Sequence, residues 1–178
     1  MPLVPGTTVS EELQPTQRRI NLHRMTGGTT PSRVALGLDL RFGSVAIGAG
    51  SADVEVVVSN TGVGHSAPGG LSTKSLVLAV GVDAGGRELA HRRERVYRRD
   101  LKDAEGRVLA TVDDLFLRAV SVGEDSRLRQ KESRTERFTV PLPPGWKAVV
   151  ARLEYRDASD PAAPKTRLIT EQRRERGR

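Results

Sequence analysis

Val54-Glu55-Val56-Val57-Val58-Ser59-Asn60-Thr61-Gly62-Val63-Gly64-His65-Ser66-Ala67-Pro68-Gly69-Gly70 is the stretch that decides how this chain folds. Its first half places Val54, Val56 and Val58 on alternate positions, with Glu55, Val57 and Ser59 between them. That is the period of a strand with one core face. Its second half breaks the pattern with glycines and a proline, so the strand runs straight into a turn that carries a histidine. An imidazole at a strand end is a metal-binding side chain on a rigid support.

The same period recurs on either side. Leu76, Leu78, Val80 and Val82 alternate along one segment, Phe138, Val140 and Leu142 along a second, and Val149, Ala151, Leu153 and Tyr155 along a third. Asn60-Thr61-Gly62, Asp83-Ala84-Gly85-Gly86, Asp103-Ala104-Glu105-Gly106 and Pro143-Pro144-Gly145 supply turn chemistry between them. Strands joined by such turns, with no helices alternating, predict an all-β fold: an immunoglobulin-like antiparallel β-sandwich over residues 34–157. Thr111 to Val122 fits two readings, a buried strand or one helical turn followed by a strand. Residues 1–33, rich in Pro, Thr and Gly, read as an extended arm, with a bend at Gly27-Gly28 and a short helical turn at Thr30-Pro31. Residues 158–178 read as a basic tail, exposed and at least partly disordered.

A chain of 178 residues suffices for one domain with extensions. Aromatics are only 3% of it, namely Trp146, Tyr97, Tyr155, Phe42, Phe116 and Phe138, so aliphatic residues must build the core. Lys and Arg number 29 against 22 Asp and Glu, a formal charge of +7 that favours anionic partners without naming one. Part of it falls in two runs, Arg92 to Arg99 and Arg173 to Arg178. The first contains Glu94 and a single aromatic, Tyr97, which is no stacking platform for bases, so no nucleic-acid partner is expected. Alternating charge on an edge strand, which suppresses edge-to-edge association, is the better reading of that run.

No cysteine occurs, which excludes disulfides, thiolate metal sites and a Cys-x-x-Cys-His attachment for haem. No stretch reaches the roughly 18–20 apolar residues of a transmembrane helix, and the N-terminus lacks the charged and apolar regions of a secretory signal. The chain is therefore expected to be soluble and without its own export address. Gly-x-Ser-x-Gly, phosphate-loop, His-Glu-x-x-His and dinucleotide patterns are all missing, so the chain by itself is not expected to be an enzyme. The acidic pairs Asp113-Asp114 and Glu124-Asp125 read as surface charge, since neighbouring side chains in a strand point opposite ways.

Taken in order, several blocks carry a family resemblance: Met1-Pro2, then His23-Arg24-Met25-Thr26-Gly27-Gly28, then the strand, turn and histidine quoted above. Asp83 to Arg87, Tyr97 to Gly106, Asp125-Ser126-Arg127-Leu128-Arg129 with Glu132, and Phe138 to Pro143 follow. Together they resemble the C-terminal β-domain of a multihaem c-type cytochrome, the part beyond its last Cys-x-x-Cys-His motif. The similarity spans most of residues 1–157. It departs from the family in lacking the haem-binding cysteines and the proximal histidine, as though the chain starts immediately after them. That pattern is expected of a reading frame that begins inside a larger cytochrome, or of a split subunit whose haem-bearing partner is a separate chain.

What the resemblance implies is a haem-free domain of an electron-transfer system, part of a larger redox enzyme at most. Haem c is then expected on the missing N-terminal part or on a partner chain, with redox proteins as further partners and a periplasmic or extracellular location. His65 becomes a candidate distal haem-iron ligand, or a neighbour of a haem propionate, and His23 a second candidate. Met25, two residues on, offers a softer sulfur that would raise the iron potential. Plainer readings stand beside these: His65 as a loop histidine hydrogen-bonded to its own turn, His23 as an exposed polar residue of the arm. His91, in Glu88-Leu89-Ala90-His91-Arg92-Arg93-Glu94-Arg95, reads as part of a solvated face. The competing function classes are a β-sandwich adhesion or carbohydrate-binding module, opposed by the scarcity of Trp and Tyr, and a basic nucleic-acid-binding protein, whose affinity would fall steeply with salt.

Overall fold

Alternating apolar residues become the facing surfaces of two sheets. A computed structural model of the chain describes residues 3–6, 18–21 and 35–177. The strands are β1 (Leu3–Gly6), β2 (Arg18–Asn21), β3 (Leu38–Ile47), β4 (Ser51–Asn60), β5 (Lys74–Ala84), β6 (Arg87–Tyr97), β7 (Arg99–Lys102), β8 (Ser121–Asp125), β9 (Ser133–Pro141), β10 (Ala148–Asp157) and β11 (Lys165–Glu175). A short helix, α1 (Val112–Leu117), lies between β7 and β8. One sheet has the order β11-β10-β5-β6 and the other β3-β4-β9, and every pairing is antiparallel. The fold is an all-β sandwich.

Val54, Val56 and Val58 of β4 meet Leu76, Leu78, Val80 and Val82 of β5 and Val149, Ala151 and Leu153 of β10 in a single core, as their spacing predicts. Burying each Val or Leu side chain there contributes about 1.5–3 kcal/mol, enough to make aliphatic residues the main support of a chain so poor in aromatics. Val77, Ala79 and Val150 point to the opposite face of their sheet and are nonetheless buried. Ion-paired side chains on that face account for it: Arg92 clasps the buried Glu154 through two bonds of 3.1 and 2.7 Å, and Arg152 bonds both Glu88 and Glu171. Their aliphatic stems cover the apolar residues while the charged ends neutralise one another. The Arg92–Arg99 run is thus engaged largely with its strand neighbours, including Arg92–Glu94 and Arg98–Asp100.

The two open sides of the sandwich differ. Between β6 and β9, the Tyr97 hydroxyl donates to Glu136 (3.2 Å), Arg95 bonds the same carboxylate (3.1 Å), and the Arg134 guanidinium lies 5.5 Å from the Tyr97 ring centre. Burial, and then the Glu136 charge beside it, push the Tyr97 phenol up, so it stays a neutral donor. Between β11 and β3 no such hydrogen-bonded bridge joins the two sheets among the described residues, and a groove remains.

One expectation is corrected, and one reading left open is decided. The tail beyond residue 157 is exposed, but Lys165–Glu175 is an ordered edge strand paired with β10. Its few apolar residues concealed a strand held by cross-strand ion pairs, Arg152–Glu171 and Arg173–Asp83, with only Ile169 packed against the core. Within the expected N-terminal arm, β1 and β2 pair antiparallel. Within Thr111 to Val122 the buried-strand reading fails: α1 is one helical turn capped by the Thr111 hydroxyl, which accepts from the Asp114 amide (3.1 Å), and β8 follows. Only Leu115 is buried there, while Phe116 and Leu117 are 74% and 83% exposed. The bends expected at Gly27-Gly28 and Thr30-Pro31 lie outside the described residues.

Where β5 begins and β10 ends, Lys74 stands opposite Asp157 and bonds its carboxylate at 2.5 Å. Burial alone would raise that carboxyl, but the hydrogen bonds from Lys74 and Ser159 outweigh it and bring it down to about 2. A folded-state carboxyl held below its unfolded value stabilises the fold fully above about pH 4, and the contribution is lost as the pH falls towards 2. Asp157→Asn should therefore flatten the acid limb of the stability profile between about pH 4 and 2 in urea unfolding at a series of pH values. An unchanged limb would show that the pair is not formed.

Candidate functional site

β4 delivers its last residue, Asn60, into the interior, where it is 1% exposed. Every polar group of that residue is engaged. Its amide donates to the Glu132 carbonyl (2.8 Å) and its carbonyl accepts from Lys131 (2.9 Å), which joins the loop to the segment leading into β9. Its side-chain Nδ2 donates to the carbonyls of His65 (2.9 Å) and Leu128 (3.2 Å), and its Oδ1 accepts from the Val63 amide (3.1 Å). An Asn that bonds the backbone beyond itself fixes a turn as a main-chain group would.

The loop from Thr61 to Thr73 is tied at three further places. Thr61 and Gly62 donate to the Gly37 carbonyl at 2.9 and 3.1 Å, just before β3. The two backbones approach so closely that a Cβ on Gly37 would lie 2.5 Å from Val63 Cγ2. Ala67 exchanges both backbone bonds with Leu128, at 2.8 and 2.9 Å. Arg99 reaches the Gly70 carbonyl (3.4 Å), which joins the loop to the lobe formed by β7, α1 and β8.

On this support His65 is exposed. Its ring rests on the α-carbon of Gly69, where a Cβ would come within 2.7 Å of Cε1. Its Nδ1 lies 2.9 Å from the Ser66 carbonyl, so the plainer reading, a histidine bonded to its own turn, describes this contact correctly. A carbonyl only accepts, so Nδ1 must carry the proton in that bond. The neutral ring then keeps its lone pair on Nε2, the form in which an imidazole ligates a metal while its other nitrogen is held by a backbone carbonyl. The turn bond and the ligand role are compatible.

Loop and lobe share one end of the sandwich, since β4 ends in the loop and the last residue of β6, Tyr97, pairs with Leu76 at the start of β5. The lobe leaving β6 carries Phe116, Leu117, Val120 and Val122, each more than half exposed. Four large apolar side chains are thus exposed within seven residues on a small lobe.

His23 and Met25 lie outside the described residues. His91 is exposed, at positive φ in a bulge of β6. Asp114 is held by Thr111 and Arg118, and Asp125 by Arg127, as surface charges. Among the described residues no three His, Asp or Glu side chains converge to hold an ion. Asn60 and Gly69 are the positioning residues that sequence reasoning missed. The strand-end Asn followed two residues later by Gly was a signal for the first, but the ring contact of Gly69 had none.

No protein-family model matches this chain, and no curated protein matches it. Among solved structures, a penta-haem cytochrome c552 from Thermochromatium tepidum is similar with a TM-score of 0.63 and 20% identity, over 86% of this chain and 43% of that one. The chain therefore spans less than half the length of that cytochrome, and the likeness is one of fold. A β-glucosidase from Kluyveromyces marxianus matches at a TM-score of 0.29 and 12% identity, over 78% of this chain and 14% of that one, too remote to bear on function. No helix among the described residues is long and apolar enough to cross a membrane.

Asn60→Ala removes three side-chain hydrogen bonds, leaving the Val63 amide without its acceptor and the His65 carbonyl without this donor while Leu128 keeps the Ala67 amide, so it should cost about 2–4 kcal/mol of stability. Amide exchange at Val63 should rise with it, whereas a loss below about 0.5 kcal/mol would mean that the loop is held elsewhere.

Proposed function

We propose that this chain is the haem-free β-domain of a multihaem c-type cytochrome system, either as its C-terminal part or as a split subunit. It packs on haem-bearing polypeptide through the end that carries His65. The observation behind this reading is that an exposed imidazole with a free Nε2 and the exposed apolar residues of the α1–β8 lobe lie at the same end of the sandwich. The likeness in fold to a penta-haem cytochrome supports it.

The donor set fits the group. With no thiol to form thioether bonds, the chain leaves covalent attachment to the other polypeptide and offers nitrogen instead. Bound haem would supply the electron transfer. His65 contributes a distal ligand or a hydrogen bond to a propionate, with His23 and Met25 as further candidate ligands. Asn60 and Gly69 set the direction of the His65 ring. Phe116, Leu117, Val120 and Val122 exclude water from the contact, which lowers the local dielectric around an iron and shifts its potential. The chain itself catalyses no reaction in this reading, redox proteins are its further partners, and its location is the periplasm or the extracellular space.

A haem peptide with one histidine ligand and an open sixth position tests this. Titrated into the otherwise colourless chain, it should pass saturably from a high-spin to a low-spin ferric spectrum. His65→Ala should weaken that response at least about tenfold without unfolding the protein. No change in spin state, or an equal response from the variant, contradicts the ligand role, and haem absorbance in the purified chain alone contradicts the haem-free assignment.

A further inference from the structure

At the end of the sandwich away from His65, where β3 turns into β4 and β9 into β10, a groove of about 700 Å³ is lined by Ile47, Leu142, Pro143, Pro144, Trp146 and Arg176. It continues into a depression of about 450 Å³ between the edge strands β3 and β11, which adds Val45, Arg173, Arg174 and Glu175. Trp146 forms the floor, 9% exposed, and the Arg176 guanidinium stands 5.4 Å from its ring centre.

Charge distinguishes this groove from the other side of the sandwich. Arg174 pairs in register with Val149, whose side chain faces the core, so Arg174 projects on the inner face of β11 towards β3. Its neighbour Arg173 projects the other way and is satisfied by Asp83, Glu171 and Glu175. Neither Arg174 nor Arg176 has a carboxylate partner among the described residues, although most arginines of β6 and β10 do. On the opposite side, Glu136 fills the corresponding place between Arg95 and Tyr97. The one carboxylate that lines the groove between β11 and β3, Glu175, is engaged by Arg173 at 3.4 Å, so among the described residues none answers Arg174 or Arg176.

We infer that this groove is a docking site for an acidic, extended peptide segment of a partner protein, whose apolar side chains seat against Ile47 and Trp146 and whose carboxylates pair with Arg174 and Arg176. Both bordering strands are sheet edges with unpaired backbone groups, which suits an extended chain. Two cations set over an apolar floor match alternating acidic and apolar residues. An anionic membrane is recruited instead by clusters of about four to eight basic residues. Bases need an open aromatic face, and Arg176 stands over that of Trp146. The site is independent of the haem reading and stands or falls without it.

Trp146 is the only tryptophan of the chain, so its fluorescence reports on the groove directly. The probe is a short peptide of alternating Glu and Leu, compared with a Lys and Leu counterpart, phosphatidylserine vesicles and single-stranded DNA. The acidic peptide should change the emission saturably, and added salt should weaken it. Arg174→Gln alone, which leaves the Trp146–Arg176 contact in place, should weaken binding several-fold, and the double variant with Arg176→Gln about tenfold. The site is refuted by no saturable response up to about 1 mM peptide, by equal binding of the Lys counterpart, or by equal affinity in folded variants. A response to vesicles or DNA without one to the acidic peptide refutes it as well.

Discussion

One buried side-chain amide is the central tie at the end of the sandwich that carries His65. Asn60 closes β4, and through its side chain alone it fixes the amide of Val63 and the carbonyls of His65 and Leu128. Three separate stretches of chain are thereby set against one another. Because unpaired buried polar groups are costly, the arrangement is close to all-or-none: the loop sits where Asn60 is satisfied, or it opens. The direction of the His65 ring follows, since the ring leans on Gly69 and bonds the Ser66 carbonyl within that same loop.

Charge does a different job on each surface. On the outer face of the four-stranded sheet, arginines and glutamates from β6, β10 and β11 pair across strands and shield apolar residues that would otherwise face water. Exposed pairs of this kind contribute little each, so their role is mostly to cover the sheet and give its edge strand a register. Along the seam between β6 and β9 the same chemistry closes the sandwich. Between β11 and β3 the lining carboxylate Glu175 is taken up by Arg173, and Arg174 and Arg176 have no carboxylate partner among the described residues, so the two ends differ in character: one carries exposed apolar residues and an imidazole, the other arginines and a tryptophan.

Much of the fold was legible because aliphatic spacing alone specifies it. Val54, Val56 and Val58, and Leu76 to Val82 in alternation, announce strands whose buried face is unambiguous. β11 was not legible, because Lys165 to Glu175 has almost no apolar periodicity and its order comes from partners in β10 that only the fold brings near. The stretch from Leu115 to Val122 misled for the opposite reason: its apolar residues suggest burial, whereas most of them face outwards. At the site, the histidine was visible in its glycine-rich turn. The groups that aim it depend on contacts such as Asn60 with Leu128, 68 residues apart, which no local pattern encodes.

If the loop presents an iron-binding nitrogen, the His65 ring must be protonated on Nδ1 and bare on Nε2. Long-range nitrogen–proton correlation spectra of the ¹⁵N-labelled chain, recorded above the imidazole titration, distinguish the two tautomers directly. A protonated Nδ1 with a pyridine-like shift at Nε2 is the expected result, and it should give way to a mixture in Asn60→Ala. A ring protonated on Nε2, or one that averages both forms in the unaltered chain, would show that the imidazole is not held for a metal.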